Sequence, residues 1–290
     1  MRVNEIGIVK ETTGVTRREL LVGLGAAGFA LAAGPVSADR ITTSSEGLLV
    51  GDVTVRSGSD RIPVYEARPA APGRYPVIIV IHEIFGLHEY IRDIARRLAK
   101  EGYYAVAPEL YSREGGVGKL PDIQSVLKAV DTVSDRQVLQ DLSATVEHAH
   151  GQSWARPDRV GATGFCWGGR MIWLFAAHET RLKAAVAWYG PLGPWRGRRD
   201  DAHPQAALDV AQNLLCPALG LYGEADEGIP ISTVREMETT LKAHHKMAEL
   251  VVYPGAPHGF FADYRPTYRA EVASEAWKRA LGWFAKYLKS

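Results

Sequence analysis

Residues 161–169 read Gly-Ala-Thr-Gly-Phe-Cys-Trp-Gly-Gly. Within them, Gly164-Phe165-Cys166-Trp167-Gly168 follows the G-x-S-x-G frame of a nucleophile elbow, with sulfur where the frame has a serine oxygen. Arg159-Val160-Gly161-Ala162-Thr163 reads as a strand before it, and Met171–Ala177 reads as a helix after it. Strand, sharp turn and helix are the context that the frame requires. Small residues on either side let a strained backbone hold the side chain at a helix N-terminus. There the helix dipole and the first N–H groups favour a thiolate and, later, an oxyanion. A lone cysteine is otherwise a small buried hydrophobe. Cys216, in Leu214-Leu215-Cys216-Pro217-Ala218, has no such frame and reads as structural.

Outward from the elbow the pattern alternates. Gly51–Arg56 and Ile62–Arg68 read as antiparallel strands around Ser57-Gly58-Ser59-Asp60. Pro76–Ile81 is a continuous apolar run, typical of a buried parallel strand. Ile91, Ile94, Ala95 and Leu98 recur at helical spacing over 89–100, and Gly102 stops that helix. Strands are expected at Tyr103–Ala107, Val160–Thr163, Ala184–Trp188, Ala218–Tyr222 and Leu250–Tyr253. Helices are expected at Asp135–His148, Trp167–Ala177, Thr233–Ala243 and about Arg269–Lys286, with a loop over 112–133 holding a short helix. This predicts an α/β fold with a mostly parallel, roughly eight-stranded sheet and helices on both faces. Active residues of such sheets lie at the carboxyl ends of strands.

A thiol nucleophile needs a base and a group to orient it, in the chain order nucleophile, acid, histidine. Gly223-Glu224-Ala225-Asp226-Glu227 follows one predicted strand, and Pro254-Gly255-Ala256-Pro257-His258-Gly259-Phe260 follows the next. Asp226 and His258 are therefore the candidates; spacing alone leaves Glu224 and Glu227 open as the acid.

With His82-Glu83-Ile84-Phe85-Gly86-Leu87, Ala105–Tyr111, the elbow, Gly223–Asp226 and His258-Gly259-Phe260 in place, the chain resembles the dienelactone hydrolase family over nearly all of 50–288. The resemblance implies an α/β-hydrolase fold and a Cys166-Asp226-His258 triad. It gives Glu83 a place beside the thiol, where it helps to take the thiol proton once substrate binds. Ile84 and Trp167 then supply the backbone N–H groups of an oxyanion hole. A carboxylate in an apolar pocket near a thiol is expected to have a raised pKa. The implied reaction is hydrolysis of an ester or lactone through an acyl-thioester, with no cofactor. Other acyl bonds (thioester, peptide) and an inactive binding protein on the same fold are the alternatives.

The resemblance has gaps. Family members that act on dienelactone grip the substrate carboxylate with arginines, one of them four residues after the histidine. Here that residue is Ala262, and Gly259 stands where serine follows the histidine. Alanine cannot replace a bidentate clamp, so dienelactone is not assigned as substrate. Arg265, three residues further on, is expected to be solvated, with reach into the site as the alternative. Trp188, Tyr189, Phe260 and, further on, Trp195 are candidates for an aromatic acyl pocket, with ordinary core packing as the alternative. His82-Glu83 and His88-Glu89 carry metal-ligand residue types without H-E-x-x-H spacing, so no metal is expected. His244-His245 reads as a solvated helix end.

Bulk properties agree with one large globular α/β domain. The chain has 290 residues, 46% hydrophobic and 23% charged, and a formal net charge of +1. Thr16-Arg17-Arg18-Glu19-Leu20-Leu21, the Gly/Ala-rich apolar stretch Val22–Gly34 and Pro35-Val36-Ser37-Ala38 have the form of a twin-arginine-like export signal over 1–38. The remainder, 39–290, is then the single hydrolase domain, expected in the periplasm or secreted; an N-terminal membrane anchor is the alternative. Removing 1–38 leaves a neutral protein with no basic stripe, which argues against nucleic-acid binding. Expected partners are a small-molecule ester or lactone and the export machinery, and the protein is expected to be a monomer. Two cysteines in unlike contexts suggest no disulfide, and a reactive thiol in an oxidising compartment should be shielded.

Overall fold

The structure is a computed structural model that describes residues 41–290; the export segment expected over 1–38 lies outside the described residues. Alternation in the first two strands makes a hairpin. β1 (Leu48–Ser57) and β2 (Asp60–Pro69) pair antiparallel from Leu48↔Pro69 to Ser57↔Asp60, around Gly58-Ser59. Gly58 has φ +62, the left-handed geometry that such short hairpin turns require. β2 then lies antiparallel to β4 (Tyr104–Pro108).

The remaining strands are parallel: β3 (Tyr75–Ile81), β5 (Ala155–Phe165), β6 (Leu182–Trp188), β7 (Ala218–Gly223) and β8 (Ala248–Tyr253). The eight strands run in the order β1-β2-β4-β3-β5-β6-β7-β8. Residues 76–81 of β3 are all buried, as an unbroken apolar run covered on both faces must be. From β3 the chain moves outward to β4 through α1 (Glu89–Lys100), then returns to place β5 on the other side of β3. The direction of winding reverses there. A crevice opens at such a reversal, outside the carboxyl ends of the two strands. Ile81 pairs with Gly164, so residues 82–84 and Cys166 emerge side by side.

The loop over 112–133 holds α2 (Ile123–Val130), capped by Asp122, whose carboxylate accepts Ser125 N–H at 2.8 Å. α3 (Asp135–His150) is capped in the same way by Ser134. α4 (Trp167–His178), α5 (Ala207–Val210), α6 (Ile231–Ala243) and α7 (Ala270–Phe284) complete the set. Alternation along β5 shows that helices cover both faces. A Cβ at Gly161 would meet Leu288 and Phe284 of the C-terminal segment, whereas one at Gly164 would meet Gly168 and Ile172 of α4.

Several boundaries shift by one to five residues from the sequence reading, and two of the shifts are instructive. β5 begins at Ala155: Ala155 and Arg156 pair with Tyr75 and Pro76, and Pro157-Asp158-Arg159 are taken up in a register shift before Val160 pairs with Val77. The closing helix ends at Phe284, and Ala285–Lys289 continues it in wider π-type turns. Among the described residues no helix is long and apolar enough to cross a membrane.

Candidate active site

The glycines of the elbow are there because backbones meet at it. A Cβ on Gly164 would lie 2.4 Å from Gly168 O, one on Gly168 2.4 Å from His82 O, and one on Gly169 2.5 Å from Trp188 O. The turn is thereby wedged between the ends of β3 and β6. Cys166 itself has φ +56 and ψ −117 and precedes the first residue of α4. Such a conformation costs a non-glycine residue about 1–3 kcal/mol and persists only where the surroundings hold it. The hold is visible. Cys166 N–H donates to Trp188 O at 3.0 Å, and Cys166 O accepts Arg170 N–H at 3.1 Å. Only 2% of Cys166 is exposed, which is the shielding expected of it.

The structure brings Asp226 and His258 to this thiol. Asp226 Oδ2 lies 2.7 Å from His258 Nδ1, and Asp226 Oδ1 accepts Gly228 N–H at 2.9 Å. The loops that carry them are stitched together by Glu224 N–H to Tyr253 O and Ala225 N–H to Ala256 O, both 3.0 Å. Of the competing acids, Glu224 caps the other loop through Gly255 N–H, and Glu227 is exposed. Burial works against a charged His258, but the Asp226 carboxylate and the hydrogen-bonded Cys166 side chain outweigh it and raise the imidazole pKa well above its ordinary value. Gly259 has φ +72, a region that serine would enter only with strain, so its presence has a backbone reason.

Glu83 is fully buried beside them, and here two expectations are overturned. Burial does push its pKa up, but the Arg265 guanidinium, with His88 and Tyr264, more than reverses this and holds it down at about 2. Tyr264 Oη donates to Glu83 Oε2 at 2.5 Å, Arg265 Nη2 to Oε1 at 3.3 Å, and His88 Nε2 lies 3.6 Å from Oε2. Arg265 is not solvated: 3% of it is exposed, and it stacks on Phe85 and Tyr264 with ring-centroid distances of 4.9 and 5.0 Å. Successive turns explain its reach. Ala262 N–H to Gly259 O, Arg265 N–H to Ala262 O and Arg269 N–H to Phe260 O coil the segment back over the site. No periodicity announces such a coil, and an arginine after a histidine loop carries no signal of its own.

The model of the dienelactone hydrolase family matches residues 62–288. The chain belongs to the dienelactone hydrolase family, and is a hydrolase of that kind. A relative from Methylorubrum extorquens named "Putative carboxymethylenebutenolidase" is 48% identical over 277 residues, covering 95% of this chain and 94% of its own. One of the same name from Escherichia coli strain K12 is 47% identical over 267 residues, 90% and 95% of the two chains. The crystal structure titled "Putative Dienelactone Hydrolase" from Klebsiella pneumoniae is 47% identical, with TM-score 0.79, and covers 83% of this chain and 99% of that one.

In this dienelactone hydrolase family member the expected aromatic pocket is corrected in part. Trp188 is core: its ring stacks 4.3 Å from Phe261 and 5.5 Å from Phe165, and its Nε1–H donates to Thr163 Oγ1 at 3.0 Å. Its carbonyl accepts Cys166 N–H. Phe260 is also fully buried, against Tyr253 and Tyr189. Tyr189 meets the site directly, edge-on to the His258 ring at 5.1 Å. Trp195 is turned aside to Asp131. Ile84 and Trp167 are buried at the ends of β3 and the elbow; Trp167 N–H is the first of its helix, where intrahelical acceptors are lacking. His244 and His245 are exposed at the end of α6. Among the described residues no group of three or more His, Cys, Asp or Glu side chains is placed to hold a metal ion.

Proposed function

We propose that the protein hydrolyses a carboxylic ester or lactone with Cys166 as nucleophile. The observation that carries this reading is a buried thiol at a positive-φ helix N-terminus, facing a histidine that is itself hydrogen-bonded to Asp226. The Cys166 thiol gives its proton to Glu83 as the sulfur attacks the carbonyl carbon, and the oxygen takes the negative charge between the N–H groups of Ile84 and Trp167. Collapse expels the alcohol, protonated by His258, and leaves an acyl-thioester. His258, oriented by Asp226, then removes a proton from water, which cleaves the thioester to the acid.

Glu83 and Arg265 extend this reading to the substrate. In the free protein Arg265 is Glu83's counter-ion. A substrate carboxylate competing for that guanidinium would release Glu83 to take the thiol proton. Arg265 would thereby do from another position what Ala262 cannot. Hydrolysis of aryl esters and small lactones, followed with mass detection of an acylated Cys166, tests the proposal. The expected result is turnover, an acyl adduct on Cys166, and loss of both in Cys166→Ala; retained activity in that variant overturns it. Carboxylate-bearing lactones should exceed their methyl esters in kcat/KM, and Arg265→Gln should remove the difference. Export through the segment over 1–38 belongs to the same proposal, and the N-terminal mass of the protein recovered from the periplasm tests it.

A further inference from the structure

His82 is fully buried next to Glu83, and its two ring nitrogens have different partners. Nε2 accepts Leu110 N–H at 3.1 Å, which requires the proton to be on Nδ1; Nδ1 then donates to Glu83 O at 2.7 Å. Burial, against the pull of Glu109, lowers the ring's pKa and keeps it neutral. The ring cannot rotate away, because it is stacked 5.8 Å from Trp167 and meets Tyr111 edge-on at 4.7 Å. The chain has no cis peptide among its described residues, so the peptide joining Glu83 to Ile84 is trans and planar. In a trans peptide the C=O and the next N–H point to opposite edges. Fixing Glu83 C=O therefore fixes Ile84 N–H. The far side of the same turn is held by Glu109, whose carboxylate accepts Leu87 N–H at 2.7 Å and Tyr111 N–H at 3.0 Å.

We infer that His82 is a positioning residue for the oxyanion hole: its Nδ1–H orients the Glu83–Ile84 peptide so that Ile84 N–H faces the developing oxyanion, and its ring sets that peptide against Trp167, which carries the other donor. The inference rests on the acyl-transfer reading above. It explains why a histidine, with a donor and an acceptor on one rigid ring, occupies a buried position where a charge would be costly.

The two nitrogens can be separated by substitution. In His82→Asn the side-chain amide N–H stands where Nδ1–H stood; in His82→Gln the amide replaces Nε2 and the Nδ1 donor is lost; His82→Leu removes both. Loss of one oxyanion-hole donor costs roughly 10²–10³-fold in kcat, so a misdirected donor should cost about ten- to hundred-fold. His82→Leu and His82→Gln should fall by that amount in kcat at unchanged KM, and His82→Asn should recover most of it. Alkylation of Cys166 by iodoacetamide, which forms no oxyanion, should proceed at the wild-type rate in all three. An aryl trifluoromethyl ketone, whose adduct on Cys166 places an oxyanion in the hole, should bind more weakly to the Leu and Gln variants by a similar factor. Wild-type kcat and ketone affinity in His82→Leu would overturn the inference. So would equal losses in the Asn and Gln variants, or a parallel loss of alkylation, which would mark a general distortion. Failure of wild-type protein to form the ketone adduct would overturn the acyl-transfer reading instead.

Discussion

Both cysteines of this chain are buried, at 2% exposure for Cys166 and 7% for Cys216, yet their surroundings differ in every other respect. Cys216 stands before β7 on ordinary backbone, and burial pushes its thiol up to about 12, with Lys183 offering only a small opposing pull. Cys166 stands at φ +56 at the start of a helix, facing a histidine that is tied to a carboxylate. Burial by itself therefore says nothing about reactivity. What matters is which groups share the buried space with the sulfur.

The largest break in this comparison comes from removing the sulfur. Cys166→Ala should lower kcat/KM on ester substrates by on the order of 10⁴-fold or more. Cys216→Ala should leave activity within about twofold of wild type, since its environment touches none of the site. Iodoacetamide labelling at neutral pH, read by peptide mass, should favour Cys166 over Cys216 by about 100-fold or more, and the preference should vanish in denaturant. Equal labelling of the folded protein would erase the distinction.

Charge surrounds one thiol and not the other, and stability measurements sharpen that difference. Arg265→Gln strands a buried carboxylate and should destabilise the fold by about 3–5 kcal/mol in denaturant titration. In the same variant burial acts on Glu83 without its counter-ion, so its pKa should rise from about 2, visible by carboxylate titration in NMR. The smallest effects are in the pH dependence. Glu83 has a depressed folded pKa, so its contribution is complete above its ordinary value of 4.5 and is lost as pH falls towards about 2. His258 has a raised folded pKa, so its contribution is complete below 6.5 and is lost as pH rises through the folded value. Unfolding curves of Glu83→Gln and His258→Asn should each be flatter in the corresponding range than wild type.

Much of the architecture was legible because it depends on local rules. The run Pro76–Ile81, the spacing of Ile91, Ile94 and Leu98, and the glycines at 164, 168 and 169 each follow from periodicity or from space at a turn. The chain order Cys166, Asp226, His258 follows from which strand each residue terminates. Asp226 was the candidate acid, but spacing alone did not separate it from Glu224 and Glu227, since all are within one turn and only direction separates them. Arg265 was misjudged for a related reason. Its distance in sequence from His258 carries no information about a coil that folds it back onto Glu83, and the sign of Glu83's pKa shift was misjudged along with it.

The sequence by itself determined that a thiol would stand on a strained turn between a strand and a helix, because glycine spacing and hydrophobic periodicity are properties of neighbouring residues. It also determined which strand ends would carry an acid and a histidine. Only the tertiary structure decided the electrostatics around that thiol. Arg265, Tyr264 and His88 reach Glu83 from far along the chain or across a turn, and His82 finds its Leu110 N–H partner only because the chain beyond β4 returns to it. Charge acts through space at low dielectric, not along the chain, so its balance is set only when the loops have closed.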